Sequence, residues 1–176
     1  MVLVPAVTFV SAANSILYLS AIPHFIDVET NNFCLDPFKL NDYLEKNTII
    51  KNNKCYNKKT GRIISSLIVV HVFGHSANLD ETLKITKRFK LKLIEDAAEA
   101  LGSYYKTKHL GSFGDVGILS FNGNKIITTG GGGAVITDNK TFATKAKKLS
   151  TQSKKKHKWD YVYDEVGYNY RMPNIN

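Results

Sequence analysis

The run Ile63–Phe73, IISSLIVVHVF, is apolar with little alternation. A strand with one wet face alternates polar and apolar side chains, whereas a strand buried on both faces does not. The run therefore predicts an interior strand of a parallel sheet covered by helices on both sides. Working outward, Leu91–Ile94, Gly117–Phe121 and Ala134–Thr137 read as further strands, as do Val2–Val4 and His24–Val28 nearer the start. Helix-like segments lie between them. These are Ala12–Leu19 with Ser11 as cap, Pro37 to about Lys46 with proline in the first turn, Glu81–Lys90 capped by Asp80, and Lys140–Leu149. Asn47–Arg62 is polar and reads as a surface insertion or hairpin, and Tyr104–Gly114 as a connection. Strands alternating with helices at this spacing predict an α/β fold in three layers with a mostly parallel central sheet.

Composition narrows the classes. With 176 residues, 43% hydrophobic and 22% charged, the chain has length for one domain with a core and is not grossly disordered. The net charge of +9 raises a basic nucleic-acid binder as an alternative. Yet Lys145–Lys158 alone holds seven lysines and no acid, so the excess is local and reads first as a solvated face. Cys34 and Cys55 lie far apart in no metal-ligand spacing, so two free thiols in a reducing cytoplasm are expected, and no metal. Met1–Phe25 has no Asp, Glu, Lys or Arg, but Pro5 and Pro23 break it and it has no basic leader. It also falls short of the ~20 apolar residues that span a bilayer, so no membrane segment is expected.

In open α/β sheets ligands gather at the carboxyl ends of the strands. Asp96 follows one strand, Ser120 and Lys125 follow another, and Phe9 lies in the loop after the first. Lys125 sits among small and apolar residues, which strip solvent from an amine and favour its nucleophilic form, able to make a Schiff base. Asp96 reads either as a helix cap for Ala97–Leu101 or as a carboxylate facing a cationic ring nitrogen. Gly130–Gly133 fits neither the P-loop pattern nor GxGxxG, and reads as a tight approach of backbone as readily as a phosphate cradle. His71 and His75 have no third ligand nearby and read as hydrogen-bonded structural residues.

PAVTF (Pro5–Phe9), IEDAAEALGS (Ile94–Ser103), GSFGDVGILSFNGNKIITTGGGGAVIT (Gly111–Thr137) and DEVGYNYRMPNIN (Asp164–Asn176) resemble the DegT/DnrJ/EryC1/StrS family of sugar aminotransferases. The wording HVFGH and GYNYRMPN looks closest to its LegC-type branch. The resemblance covers essentially the whole chain. It implies the large cofactor-binding domain of a fold type I enzyme that uses pyridoxal 5'-phosphate. It also implies transfer of an amino group, from glutamate, to a nucleotide-linked 4-keto-6-deoxy sugar for amino-sugar, polysaccharide or lipopolysaccharide synthesis.

Position by position, the resemblance implies that Lys125 carries the cofactor and later moves the proton. Asp96 pairs with the pyridine nitrogen, Phe9 stacks on the ring, and Glu99 lies near the ring oxygen. Ser120 binds the phosphate, and Asn169 reaches the phosphate of the neighbouring subunit's cofactor, so a cytoplasmic homodimer sharing its sites is implied. Gly131 stands where many members carry the glutamate of TGEGG. Compared with family members, residues 1–176 look like a partial large domain, without the N-terminal phosphate-loop segment or the C-terminal small domain. That leaves an inactive truncated homologue, or a subunit supplying only an interface, as the alternative to an enzyme.

Overall fold

A computed structural model describes residues 1–155 and 157–176; Lys156, within the basic run, lies outside the described residues. Six strands make the main sheet: β1 (Val2–Pro5), β2 (Pro23–Ile26), β6 (Ser66–Val70), β7 (Lys92–Asp96), β10 (Val116–Ser120) and β11 (Gly133–Ile136). Their order is β11-β10-β7-β6-β1-β2. All neighbours run parallel except β10 and β11, which are antiparallel. The mostly parallel sheet expected from Ile63–Phe73 is what forms.

The sheet is covered on both faces. Leu3, Leu67, Val69 and Leu93 turn one way and pack with α2 (Pro37–Asn47) and α3 (Leu79–Phe89) through Leu40, Leu44, Ile85 and Phe89. Val4 and Ile68 turn the other way and pack with Ala12 and Ile16 of α1 (Val10–Tyr18). Three adjacent buried positions in β6, Leu67, Ile68 and Val69, thus feed two cores, which is why the sequence there does not alternate.

Ile63–Phe73 is not one strand. Ile63–Ile64 form β5 and pair with β4 (Lys54–Asn57), which pairs with β3 (Thr48–Lys51) in a separate antiparallel sheet. The break falls at Ser65, whose N–H donates to the Met1 carbonyl at 3.1 Å, handing the chain from one sheet to the other. At the far end Val72–Gly74 is a single tight turn with Phe73 at φ 53°. The hairpin expected in Asn47–Arg62 is β3–β4, turned by Asn52 and Asn53 at φ 49° and 58°, the left-handed pair that asparagine tolerates. Tyr104–Gly114 holds a second small hairpin, β8 (Tyr104–Tyr105) with β9 (Lys108–His109).

Two caps differ from expectation. α1 begins at Val10 after Phe9, with no side-chain cap, and Ser11 is exposed within it. α3 is capped by Asn78, whose Oδ1 accepts from the Glu81 N–H at 3.3 Å. Burying Leu79 completely draws the helix start back by two residues, and Asp80 instead pairs with Lys106 at 2.7 Å. Asp36 caps α2 in front of Pro37, as the proline suggested. Cys34 and Cys55 are both free and buried. Among the described residues no helix is long and apolar enough to cross a membrane.

After β11, α4 (Lys140–Ser150) is held to the chain's last segment by ion pairs. Lys145 pairs with Glu165, and Lys148 with Asp164 at 2.7 Å and Glu165 at 2.9 Å. The two acids that follow the basic run thus offset two of its seven positive charges.

Gly117, in the middle of β10, has no room for a side chain: a Cβ there would lie 1.7 Å from the Gly111 carbonyl oxygen. Gly117→Ala is expected to push β10 off the 110–114 loop and cost at least ~1–3 kcal/mol. A urea midpoint equal to that of the unchanged chain would show the loop yields freely.

Candidate active site

Parallel pairing puts the carboxyl ends of β1, β6, β7 and β10 along one edge of the sheet. Asp96 is the last residue of β7, level with Val70 of β6 and Ile118 of β10. Ser120 is two residues further along β10, ~7 Å beyond that level, facing Gly133 of β11. Its Oγ accepts one long bond, 3.4 Å, from the Asn122 N–H, so the hydroxyl hydrogen remains available to an anion.

The chain leaves β10 into the loop that carries Lys125. Phe121 closes this loop, its N–H donating to the Gly132 carbonyl at 2.9 Å and its carbonyl accepting from the Thr129 N–H at 3.1 Å. The close approach depends on Gly132, which has φ 111° and where a Cβ would lie 2.9 Å from Met172 Sδ. The glycines thus serve as a tight turn holding the lysine loop, one of the two roles open in the sequence.

Lys125 is only 17% exposed, and its Nζ lies 3.2 Å from Glu99 Oε1. The other oxygen of Glu99 accepts from the Phe73 N–H at 3.0 Å. Glu99 therefore ties three crossings together: the turn after β6, the turn after β7 and the lysine loop after β10.

Asp96 serves both of its sequence readings. Its Oδ1 accepts from the Ala98 N–H at 3.1 Å, capping the turn that follows. Oδ2 has no hydrogen bond among the described residues. Burial pushes the Asp96 carboxyl above its ordinary range, against the Ala98 N–H and the charge of Lys125. A carboxylate in that position gains most from a cationic N–H donor.

Glu95, one residue earlier, points the opposite way because side chains alternate along a strand. It is completely buried and accepts four hydrogen bonds. His71 Nε2 lies at 3.0 Å, and the backbone N–H groups of Gly111, Phe113 and Gly114 at 2.9, 2.6 and 2.5 Å. His71 Nδ1 accepts from the Ala77 N–H at 3.3 Å, which puts the ring proton on Nε2, facing Glu95. Burial acts to raise the Glu95 carboxyl, but His71 and the Gly114 and Gly111 N–H groups outweigh it and hold the group below the usual carboxylate range. The structural role expected of His71 is confirmed. Sequence reading missed its partner, although the period-two pattern Leu93, Glu95, Ala97 already points Glu95 inward.

The remaining candidates are not joined to this cluster. Phe9 stands at the same sheet edge after β1 but is 75% exposed. Asn169 lies beyond α4, where it bridges to Thr151, with no hydrogen bond to Lys125, Asp96 or Ser120.

The donor set fits pyridoxal phosphate: an amine on a closed loop, an unsatisfied carboxylate oxygen for the ring nitrogen, and a free hydroxyl for the phosphate. Comparison with known proteins points the same way. EpsN of Bacillus subtilis, whose name describes a pyridoxal phosphate-dependent aminotransferase, is 40% identical over 96% of this chain and 40% of its own length. GDP-perosamine synthase of Escherichia coli O157:H7 is 37% identical over 99% of this chain and 43% of its own length. The solved structure of Helicobacter pylori PseC, an aminotransferase of pseudoaminic acid biosynthesis, superposes with a TM-score of 0.83 at 27% identity, over 99% of this chain and 43% of PseC. The chain thus spans about two fifths of the length of these relatives, in the architecture of fold type I enzymes that use pyridoxal phosphate. A profile of the DegT/DnrJ/EryC1/StrS aminotransferase family matches residues 1–176, and the chain belongs to that family.

Proposed function

We propose that this chain is the cofactor-binding part of a cytoplasmic aminotransferase that moves an amino group from glutamate to a nucleotide-linked 4-keto-6-deoxy sugar. The observation that carries the reading is the convergence of Lys125, Glu99 and Asp96 at the carboxyl edge of the sheet. GDP-perosamine synthase as a relative supports the nucleotide-sugar substrate. When bound, pyridoxal phosphate supplies an electron sink for a developing carbanion.

Each residue has a task in this reading. Lys125 Nζ would hold the cofactor and, when free, would accept the proton from the donor's Cα and later give it back. Asp96 Oδ2 keeps the ring nitrogen protonated. Ser120 Oγ would donate to the phosphate, and Phe9 would pack against the ring. Glu99, which holds Lys125, would help to position the cofactor. Asn169 serves the site of a second copy. The exposed apolar side chains Val10, Leu17 and Tyr18 on α1 and Leu19 just after it support such an assembly.

The test is to add pyridoxal phosphate to the purified chain, follow the visible absorbance of lysine-bound cofactor, and locate the borohydride-fixed group by mass spectrometry. Absence of the band at millimolar cofactor would defeat the reading and leave the family assignment. Asp96→Asn separates the site's function from its stability. Asparagine keeps the bond to Ala98 but loses the charge, so cofactor retention is expected to fall ~10- to 100-fold, the worth of one charge-assisted bond. A carboxyl held above its unfolded value weakens the fold as pH rises from that value through the native one. The cofactor-free variant is therefore expected to melt higher than its parent at pH 7, and a lower midpoint would show that Asp96 is structural instead.

A further inference from the structure

We infer that His71 is a positioning residue for the amine of Lys125: with Glu95 behind it, it sets the turn that holds Glu99. The inference rests on the transfer reading above only for what Lys125 goes on to do.

The turn after β6 is strained where it meets the site. Phe73 has φ 53°, a left-handed conformation that costs energy for any residue with a Cβ. Packing of the ring does not offset that cost, since the side chain is 76% exposed. What the conformation delivers is the Phe73 N–H, aimed at Glu99 Oε2 at 3.0 Å. The next residue presses on the same segment: a Cβ on Gly74 would lie 3.0 Å from the Glu99 carbonyl oxygen. The turn thus meets Glu99 at both side chain and backbone, and the other carboxylate oxygen holds Lys125 Nζ at 3.2 Å.

A strained turn keeps its shape only where its surroundings over-determine it. Here His71 does so with every polar group it has. Its backbone N–H donates to the carbonyl of Asp96, itself a candidate site residue, at 3.1 Å, and its carbonyl accepts from the Gly74 N–H at 3.1 Å. Its Nδ1 accepts from the Ala77 N–H at 3.3 Å, closing the far end of the turn. Its Nε2 lies 3.0 Å from Glu95 Oε2, with both side chains completely buried.

A neutral imidazole offers one donor and one acceptor. The Glu95 carboxylate takes the donor at Nε2 and so leaves Nδ1 as the acceptor that Ala77 needs. Glu95 is itself fixed by the N–H groups of Gly111, Phe113 and Gly114, which locks the tautomer. A line of contacts then runs from the closed core to the reacting nitrogen: Glu95, His71, the turn, Glu99 and Lys125.

Two substitutions separate the two ring nitrogens. An asparagine amide reaches only as far as Nδ1, so His71→Asn keeps an acceptor for Ala77 and abandons Glu95. A glutamine amide reaches to Nε2, so His71→Gln keeps a donor for Glu95 and abandons Ala77. Gly74→Ala disturbs the turn from outside and leaves the buried pair untouched. In each chain, without cofactor, trace acetic anhydride labels the lysines, and mass spectrometry gives the rate at Lys125 relative to exposed Lys147.

His71→Gln and Gly74→Ala are expected to free the amine and raise that ratio roughly 2- to 5-fold, the worth of a partly exposed ion pair. The visible band with pyridoxal phosphate is expected to form ~10-fold more slowly in both, because a misplaced amine attacks poorly. His71→Asn is expected to match the parent in both readings although its urea midpoint falls, since Glu95 loses a donor. An unchanged ratio in either His71→Gln or Gly74→Ala overturns the inference. So does a ratio in His71→Asn raised as far as in His71→Gln, which would track stability and make His71 structural alone. If neither His71 variant folds, Gly74→Ala decides by itself. No band in the parent sinks the transfer reading, and the labelling ratio still judges the positioning.

Discussion

Lys125→Ala is expected to abolish the visible band that pyridoxal phosphate develops on the chain and to leave borohydride nothing to fix. In the proposed reading the same nitrogen holds the cofactor and moves the proton, a role worth ~10²–10⁴ by itself, so any amino transfer should fall by ~10³-fold or more. The fold should scarcely notice. Lys125 is a loop residue whose one ionic partner among the described residues is Glu99 at 3.2 Å, and Glu99 keeps its bond from the Phe73 N–H at 3.0 Å. A partly exposed pair of this kind contributes ~0–1 kcal/mol. A full band in Lys125→Ala would move the covalent site to another lysine and defeat the assignment.

Glu95→Ala is expected to do the reverse, wrecking stability without touching a reacting atom. It would leave the His71 Nε2–H and the N–H groups of Gly111, Phe113 and Gly114 buried without their acceptor. Removing one partner from a buried charged network costs ~3–5 kcal/mol, against a total of ~5–15 kcal/mol for an ordinary domain. Loss of soluble protein, or a urea midpoint lowered by that amount, is the expected result. A change under ~0.5 kcal/mol would show that water replaces the carboxylate. The milder Glu95→Gln keeps an acceptor and is expected to fall between.

The pH dependence has the matching sign. Glu95 is held below the usual carboxylate range, so its contribution is complete above the unfolded value of ~4.3 and fades as pH falls through the native one. Asp96 acts oppositely, since its burial cost disappears on protonation. The unchanged chain should therefore lose less stability on entering mild acid than Glu95 alone would predict.

The contrast between these neighbours shows how far a sequence carries. Leu91–Ile94 read as a strand, and alternation alone sends Glu95 and Asp96 to opposite faces. Which face is core and which is site depends on what covers each. Glu95 finds its donors 16 to 24 residues away, on a loop and a strand end whose approach no local pattern encodes. Likewise Glu99 read as lying near a ring oxygen, while its contact with Lys125, 26 residues on, needed the turns after β7 and β10 to be side by side. Asn169 was legible only through family resemblance, and its bridge to Thr151 emerged when α4 and the last segment met.

By itself, the sequence determined that there is a covered parallel sheet, and that Asp96, Ser120 and Lys125 lie at or just beyond the ends of its strands. Burial and alternation are properties of consecutive residues, so a run such as Leu67–Val70 announces itself. The tertiary structure alone decided where Ile63–Phe73 breaks, which of two adjacent acids is locked in the core, and what Lys125 touches. It also decided which lysines of the basic run pair with Asp164 and Glu165. Those outcomes rest on hydrogen bonds and ion pairs at ~3 Å, a precision that exists only after distant segments have packed.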